Sequence, residues 1–345
     1  MRRALGFLLV LGATACGNVE QLASTNAAIF AGTPAPDFAP VVGVVNFAGG
    51  QCSGSLIAPR LVVTARHCVA NTAGQEQQVV CGQTKFTPPD SPGAIFIVSL
   101  PEISNDPKDY LAVAEIRMPD GLGDDLCGTD VVLLRLKEPL ADIRPLWPRV
   151  ETPVEPGEAY SAVGFGVDES LPDRPASVRK RGAGYEVTCS GTGCKASDIL
   201  GNEWMGNGGP CSGDSGGPAL DADGRLIGVV SRGKSGCQEP VFSDVASRAA
   251  WLKSEAITAA NDAGEAPPAW APCDAQNPCS KPASSGPETA PDAPAPTCAL
   301  SHPSGIGVCD LSSALVAALW LLRRRRNAHD AVVAAASRVS QHKSK

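Results

Sequence analysis

Leu61-Val62-Val63-Thr64 runs straight into Ala65-Arg66-His67-Cys68, and Gly213-Asp214-Ser215-Gly216-Gly217-Pro218 stands directly before another short apolar stretch. Outward from these two places the chain alternates apolar runs with Gly, Pro, Asn and Asp. Val41-Val42-Gly43-Val44-Val45, Ser55-Leu56-Ile57, Ile95-Phe96-Ile97-Val98, Val131-Val132-Leu133-Leu134-Arg135-Leu136, Ala159-Tyr160-Ser161-Ala162-Val163 and Leu226-Ile227-Gly228-Val229-Val230 have the length and β-branched content of strands in a sandwich or barrel. Helical periodicity is almost absent until Val245, Ala249, Leu252 and Ala256, which share one helix face. The pattern predicts an all-β chain closed by a single helix and argues against layered α/β architecture.

The chain has 345 residues, a formal charge of −7 and 13 cysteines. A net negative charge argues against a nucleic-acid partner, which would need clustered positive charge. So many cysteines point to an oxidising compartment or to metal sites. Met1-Arg2-Arg3 followed by the apolar Ala4 to Leu11 reads as an export signal. Ala13-Thr14-Ala15-Cys16 allows an ordinary cut after Ala15, and it also resembles a bacterial lipoprotein signal in which Cys16 carries lipid. Residues 259–297 form a Pro/Ala-rich linker, and residues 298–326 combine Cys298, Cys309, an apolar run from Leu311 to Leu322 and Arg323 to Arg326. That tail resembles bacterial C-terminal sorting signals; a short surface helix or a disordered tail is the other reading. The expected organisation is a signal at 1–15, a leader at 16–28, a domain at 29–258, the linker, the sorting tail and a polar end at 327–345. The expected location is the bacterial envelope or the medium, with membrane association only through the terminal anchors.

A serine hydroxyl is a poor nucleophile at neutral pH and needs an imidazole to take its proton, while the imidazole needs a buried carboxylate to fix its tautomer. Ser215, His67 and Asp130 are the candidates. Asp124 and Asp125 are rivals in a Gly-rich turn, but Asp130 immediately precedes the long apolar run. In the order His, Asp, Ser these motifs resemble the chymotrypsin/trypsin family of serine endopeptidases, with Arg66 standing where the family usually has alanine. The resemblance runs from Ile29 to about Lys253 and implies two packed six-stranded antiparallel β-barrels. It implies hydrolysis through an acyl-enzyme, with the N–H groups of Gly213 and Ser215 as the oxyanion hole and no cofactor.

The same resemblance implies that Asp214 receives the amino group of Ile29 after an activating protease cuts behind Ala28. It implies the disulfides Cys52–Cys68 and Cys211–Cys237; Cys81–Cys127 and Cys189–Cys194 are the next pairs expected. Zinc is the other reading of close cysteines, but no Cys-x-x-Cys cluster occurs, and no metal is expected. Gly209 stands six positions before Ser215, where trypsin-like members carry an acid, so a non-basic side chain is the expected preference. Glu239 is a candidate for a displaced acid. Ser231 and Gly233 are expected to bind the extended substrate through their backbone. The partners expected are a peptide or protein substrate, the activator and protein inhibitors. Two other functions fit the same residues: a protease-like binding module without activity, and an esterase using the same triad.

Overall fold

The computed structural model describes residues 32–272 except 49, 74–78, 167–177, 196–197 and 235. The predicted signal, leader and sorting tail, with Cys16, Ala28 and Ile29, lie outside the described residues. The first half of the chain holds β1 (Thr33–Pro34), β2 (Val41–Asn46), β3 (Gly50–Ala58), β4 (Leu61–Thr64), β5 (Thr72–Ala73), β6 (Lys85–Phe86), β7 (Ile95–Val98), β8 (Leu111–Arg117) and β9 (Val132–Leu136). The second half holds β10 (Ala159–Gly164), β11 (Lys180–Ser190), β12 (Glu203–Gly206), β13 (Pro218–Leu220), β14 (Leu226–Lys234) and β15 (Gln238–Asp244), then α1 (Ala249–Ala263).

Two antiparallel barrels result. The first closes in the order β2-β3-β4-β9-β8-β7, with β7 paired back onto β2. The second runs β11-β10-β13-β14-β15-β12 and closes through β11–β12, with β1 added at the edge of β11. The expected two six-stranded barrels with one C-terminal helix are therefore what the chain forms.

Period-two alternation explains why the strands read as continuous apolar runs. Val42, Val44, Val62, Val132, Leu134 and Leu136 point into the first barrel and pack together. Their neighbours Val41, Val63, Val131 and Leu133 face the other way, into a second core shared with Val163, Leu220 and Val229 of the second barrel and Leu252 and Ala256 of the helix. With both faces covered, no polar residue is called for on either. The inside of the second barrel is aromatic: Trp204 stacks on Phe242 at 4.0 Å, and Tyr160 meets both edge-on.

The helix starts four residues later than the expected Val245, because residues 246–248 form a 3-10 turn first. It ends at Gly264, whose N–H donates to Asn261 O. The packing also continues beyond residue 258. Ala259, Ala260, Trp270 and Ala271 are buried, and Trp270 Nε1 donates to Ile57 O at 2.9 Å. The tract from 259 is thus core in its first part, because small alanines on the helix face and one tryptophan suit a tight interface.

Candidate active site

His67 sits in the 3-10 turn Arg66–Cys68 that follows β4, and the turn is pinned to β3 by the disulfide Cys52–Cys68. Asp130 lies just before β9, the strand that pairs with β4. The pairing brings carboxylate and imidazole together: His67 Nδ1 is 2.8 Å from Asp130 Oδ2, and the backbone N–H of His67 donates to Oδ1 at 2.9 Å. Asp130 is fully buried, so as an anion it can only accept; Nδ1 carries the proton and Nε2 is left with a free lone pair. Burial works to lower the His67 pKa, but the charge of Asp130 and the bond to it outweigh burial and hold it above the ordinary imidazole value. Burial would push Asp130 up, and His67 together with the bonds from His67 and Ser231 holds it below the usual carboxylate range.

Ser215 belongs to the turn before β13. Its carbonyl accepts from Ser53 N at 2.8 Å, Ser53 Oγ donates to Gly213 O at 2.9 Å, and Gly216 N donates to Val230 O at 2.8 Å. The two bonds of Ser53 tie the serine turn of the second barrel to β3 of the first, beside the His67 turn, and that of Gly216 ties it to β14. Among the described residues no hydrogen bond joins the Ser215 hydroxyl to His67, and no acceptor takes the N–H of Gly213 or Ser215. Such bonds are often long in an unliganded site and tighten around the substrate.

Asp214 turns away from the cleft and is fully buried. Its carboxylate accepts from Gly166 N at 2.8 Å and Cys211 N at 2.9 Å, and no salt bridge reaches it among the described residues. Burial pushes its pKa up to about 6, against which the two N–H bonds and Lys180 pull. A carboxyl raised from 3.8 to about 6 contributes stability that is present below its unfolded value and is lost as the pH rises through 6. The uncut chain is therefore expected to lose about 2.4 kcal/mol relative to Asp214→Asn between pH 4 and pH 7. Urea unfolding of both proteins across that range checks this, and parallel pH profiles would refute it.

A cleft of about 290 Å³ opens beside Ser215, lined by Pro210, Ser212, Val230, Ser231, Arg232 and Lys234 among others. Gly233 lines it too; Gly209 does not, being backed by the Tyr185 ring, against which an added Cβ would stand at 3.0 Å. Glu239 does not line it either and is paired with Lys234, which does. Four bridges occur among the described residues: Cys52–Cys68, Cys81–Cys127, Cys189–Cys194 and Cys211–Cys237, the last tying the serine turn to the cleft wall. Each constrains the unfolded chain by about 2–4 kcal/mol. Cys52, His67 and Cys68 cluster closely, but the two sulfurs are bonded to each other and offer no thiolate to a metal.

Two features escaped the sequence reading. The Ser231 hydroxyl, expected only as backbone, donates to Asp130 Oδ2 at 2.6 Å. Arg232 forms a two-pronged pair with the buried Glu203 at 2.6 and 2.9 Å, and Glu203 also accepts from Gly128 N at 2.7 Å and Leu200 N at 2.9 Å. The pair links the cleft wall to the backbone two residues before Asp130. Nothing in the sequence around Glu203 marks this, because its partner is 29 residues away.

The family model described as Trypsin matches residues 29–253. The chain is 28% identical over 276 residues to coagulation factor XII of Sus scrofa, covering 70% of this chain and 42% of that protein. It is 31% identical over 216 residues to glandular kallikrein-10 of Rattus norvegicus (59% and 79%), and 28% identical over 246 residues to the venom plasminogen activator Haly-PA of Gloydius brevicauda (66% and 85%). The chain thus spans about two fifths of the length of the coagulation factor it matches. These relatives are animal proteins. They overturn the expected bacterial membership, and with it the lipoprotein-like signal at Cys16 and the sorting-like tail, which lie outside the matched stretch. Export in general stands, on the four disulfides and on relatives that include a venom protein.

Proposed function

Because this chain belongs to the trypsin family, we propose that it is a serine endopeptidase whose nucleophile is Ser215, whose base and then acid is His67, and whose orienting carboxylate is Asp130. The observation that carries this reading is the buried Asp130 accepting both N–H groups of His67, which leaves Nε2 ready to take the hydroxyl proton. Attack of Ser215 Oγ on a peptide carbonyl forms the tetrahedral adduct, and the unengaged N–H groups of Gly213 and Ser215 receive its oxyanion. The proton then passes from His67 to the leaving amine, and water repeats the sequence on the acyl-enzyme. Since the base must be neutral, kcat/KM falls below the raised pKa of His67.

The cleft supports a non-basic preference: among the described residues no carboxylate lines it, whereas Arg232 and Lys234 do. Asp214 supports activation by cleavage between Ala28 and Ile29. A buried carboxylate without a salt bridge is costly, and a new α-amino group is a cation able to offset that cost. The activator, protein inhibitors and peptide substrates are the proposed partners.

A fluorophosphonate probe tests the reading. The chain cut before Ile29 should be labelled at Ser215, and Ser215→Ala should lose the label and about 10⁶ in kcat. Absence of labelling in the cut protein would overturn the enzyme in favour of a binding module. A panel of peptides and simple esters reads the primary preference and separates a peptidase from an esterase.

A further inference from the structure

Arg66 is the residue by which the His67 turn departs from the family's usual alanine, and it is only 6% exposed. Its Nη1 donates to Gly123 O at 2.7 Å and lies 3.5 Å from Thr129 Oγ1, so it grips both ends of the loop that delivers Asp130. Its guanidinium carbon stands 4.4 Å above the Phe86 ring, and Phe86 N donates to Asp124 O at 2.6 Å in the same loop. No salt bridge neutralises it among the described residues, and its buried Nε has no partner. A cation buried on these terms is expensive, and burial accordingly lowers its pKa against the pull of Asp130 and Asp124. A loop could be fastened by less costly means.

We infer that Arg66 is a positioning residue of the catalytic pair: it clamps the Asp130 loop to the His67 turn, and its fixed charge favours the neutral imidazole. The inference rests on the proposed roles of His67 and Asp130. The charged groups around the turn decide the sign. Asp130, from the start of β9, favours imidazolium. Asp124 and Asp125 are each engaged by Lys85 of β6 at 3.3 Å, and Asp90 accepts from Asn46 on the other side of Cys68. Arg66 is the cation within the turn whose charge interacts with that of Asp130, and so offsets it. With its charge removed, His67 should hold its proton to higher pH.

The test is the titration of the His67 imidazole by proton NMR in the full-length protein, with its resonance assigned by its absence from His67→Gln. Arg66→Met keeps the stem, Arg66→Ala installs the family's residue, and Arg66→Lys keeps the charge. Both charge-free variants should raise the His67 pKa by about half to one unit, and Arg66→Lys should leave it in place. The acid limb of kcat/KM should move with it, so that activity on the acid side of the limb drops about three- to tenfold in the charge-free variants. An unmoved titration in either charge-free variant, or an equal shift in Arg66→Lys, would overturn the inference. The NMR reading needs no turnover, so failure of the proposed activity shows separately, as a wild-type protein that the fluorophosphonate does not label.

Discussion

Asp130→Asn is expected to lower kcat/KM by about 10⁴, the size of the same exchange in a related serine protease. The reason lies in the count of donors. His67 N, His67 Nδ1 and Ser231 Oγ converge on the two oxygens of Asp130, one on Oδ1 and two on Oδ2. An amide has one oxygen and an NH2, and the NH2 must face at least one of these donors. If it faces Nδ1, the ring avoids the clash by moving its proton to Nε2, and the lone pair then points away from Ser215. The backbone of the site stays held by the Cys52–Cys68 bridge and by Ser243 Oγ donating to Asp130 O at 2.9 Å, so the fold should survive. Kinetics on the cut protein, with nitrogen NMR of the His67 tautomer, measure both parts. A loss below tenfold, or an unchanged tautomer, would refute the assignment of Asp130. Any residual activity should show its acid limb at lower pH, because the anion that raised the His67 pKa has gone.

The second large effect is expected at Gly216, next to the proposed nucleophile Ser215. Its φ of +78° is strained for any residue with a side chain, and a Cβ there would stand 2.0 Å from Thr64 Oγ1, 2.4 Å from Ser53 O and 2.8 Å from Ala65 N. Two of these contacts are backbone, and Thr64 Oγ1 already donates to Ser53 O at 2.7 Å, so no flexible group can retreat. Gly216→Ala should therefore cost about 3–6 kcal/mol, the sum of left-handed strain and overpacking where the barrels meet. It should also push Ser215 away from the His67 turn and abolish labelling. Urea unfolding gives the first quantity and the fluorophosphonate the second. A stability change below about 1 kcal/mol would mean that the serine turn is not held against β3 as described.

The barrels were legible because both faces of their strands are covered, which leaves runs such as Val131 to Leu134 without a polar interruption. Asp130 could be preferred to Asp124 and Asp125 because only Asp130 abuts such a run. What could not be read depends on partners distant in sequence. Ser231 is one small polar residue among others until β14 lays it against Asp130. Glu203 looks like a surface residue beside Trp204 until Arg232 meets it. The start of α1 was misjudged because a 3-10 turn carries the same apolar spacing for its few residues, and Trp270 fell in a tract whose composition resembles a linker. The bacterial attribution failed for a different reason. It rested on the two ends of the chain, which lie outside the stretch that matches the family.

Trp270 also fixes when the protein can be finished. Its bond to Ile57 closes the outer face of β3 across 213 residues of sequence. At synthesis rates of about 5–20 residues per second, that interval lasts roughly 10–40 s. From Leu136 onward the first barrel has strands enough to close but lacks part of the surface it packs against. Val41, Val63 and Leu133 wait for partners still being made. A chain exported as it grows thus presents a half-covered apolar face to whatever assists its passage, and Trp270 acts as a latch on β3.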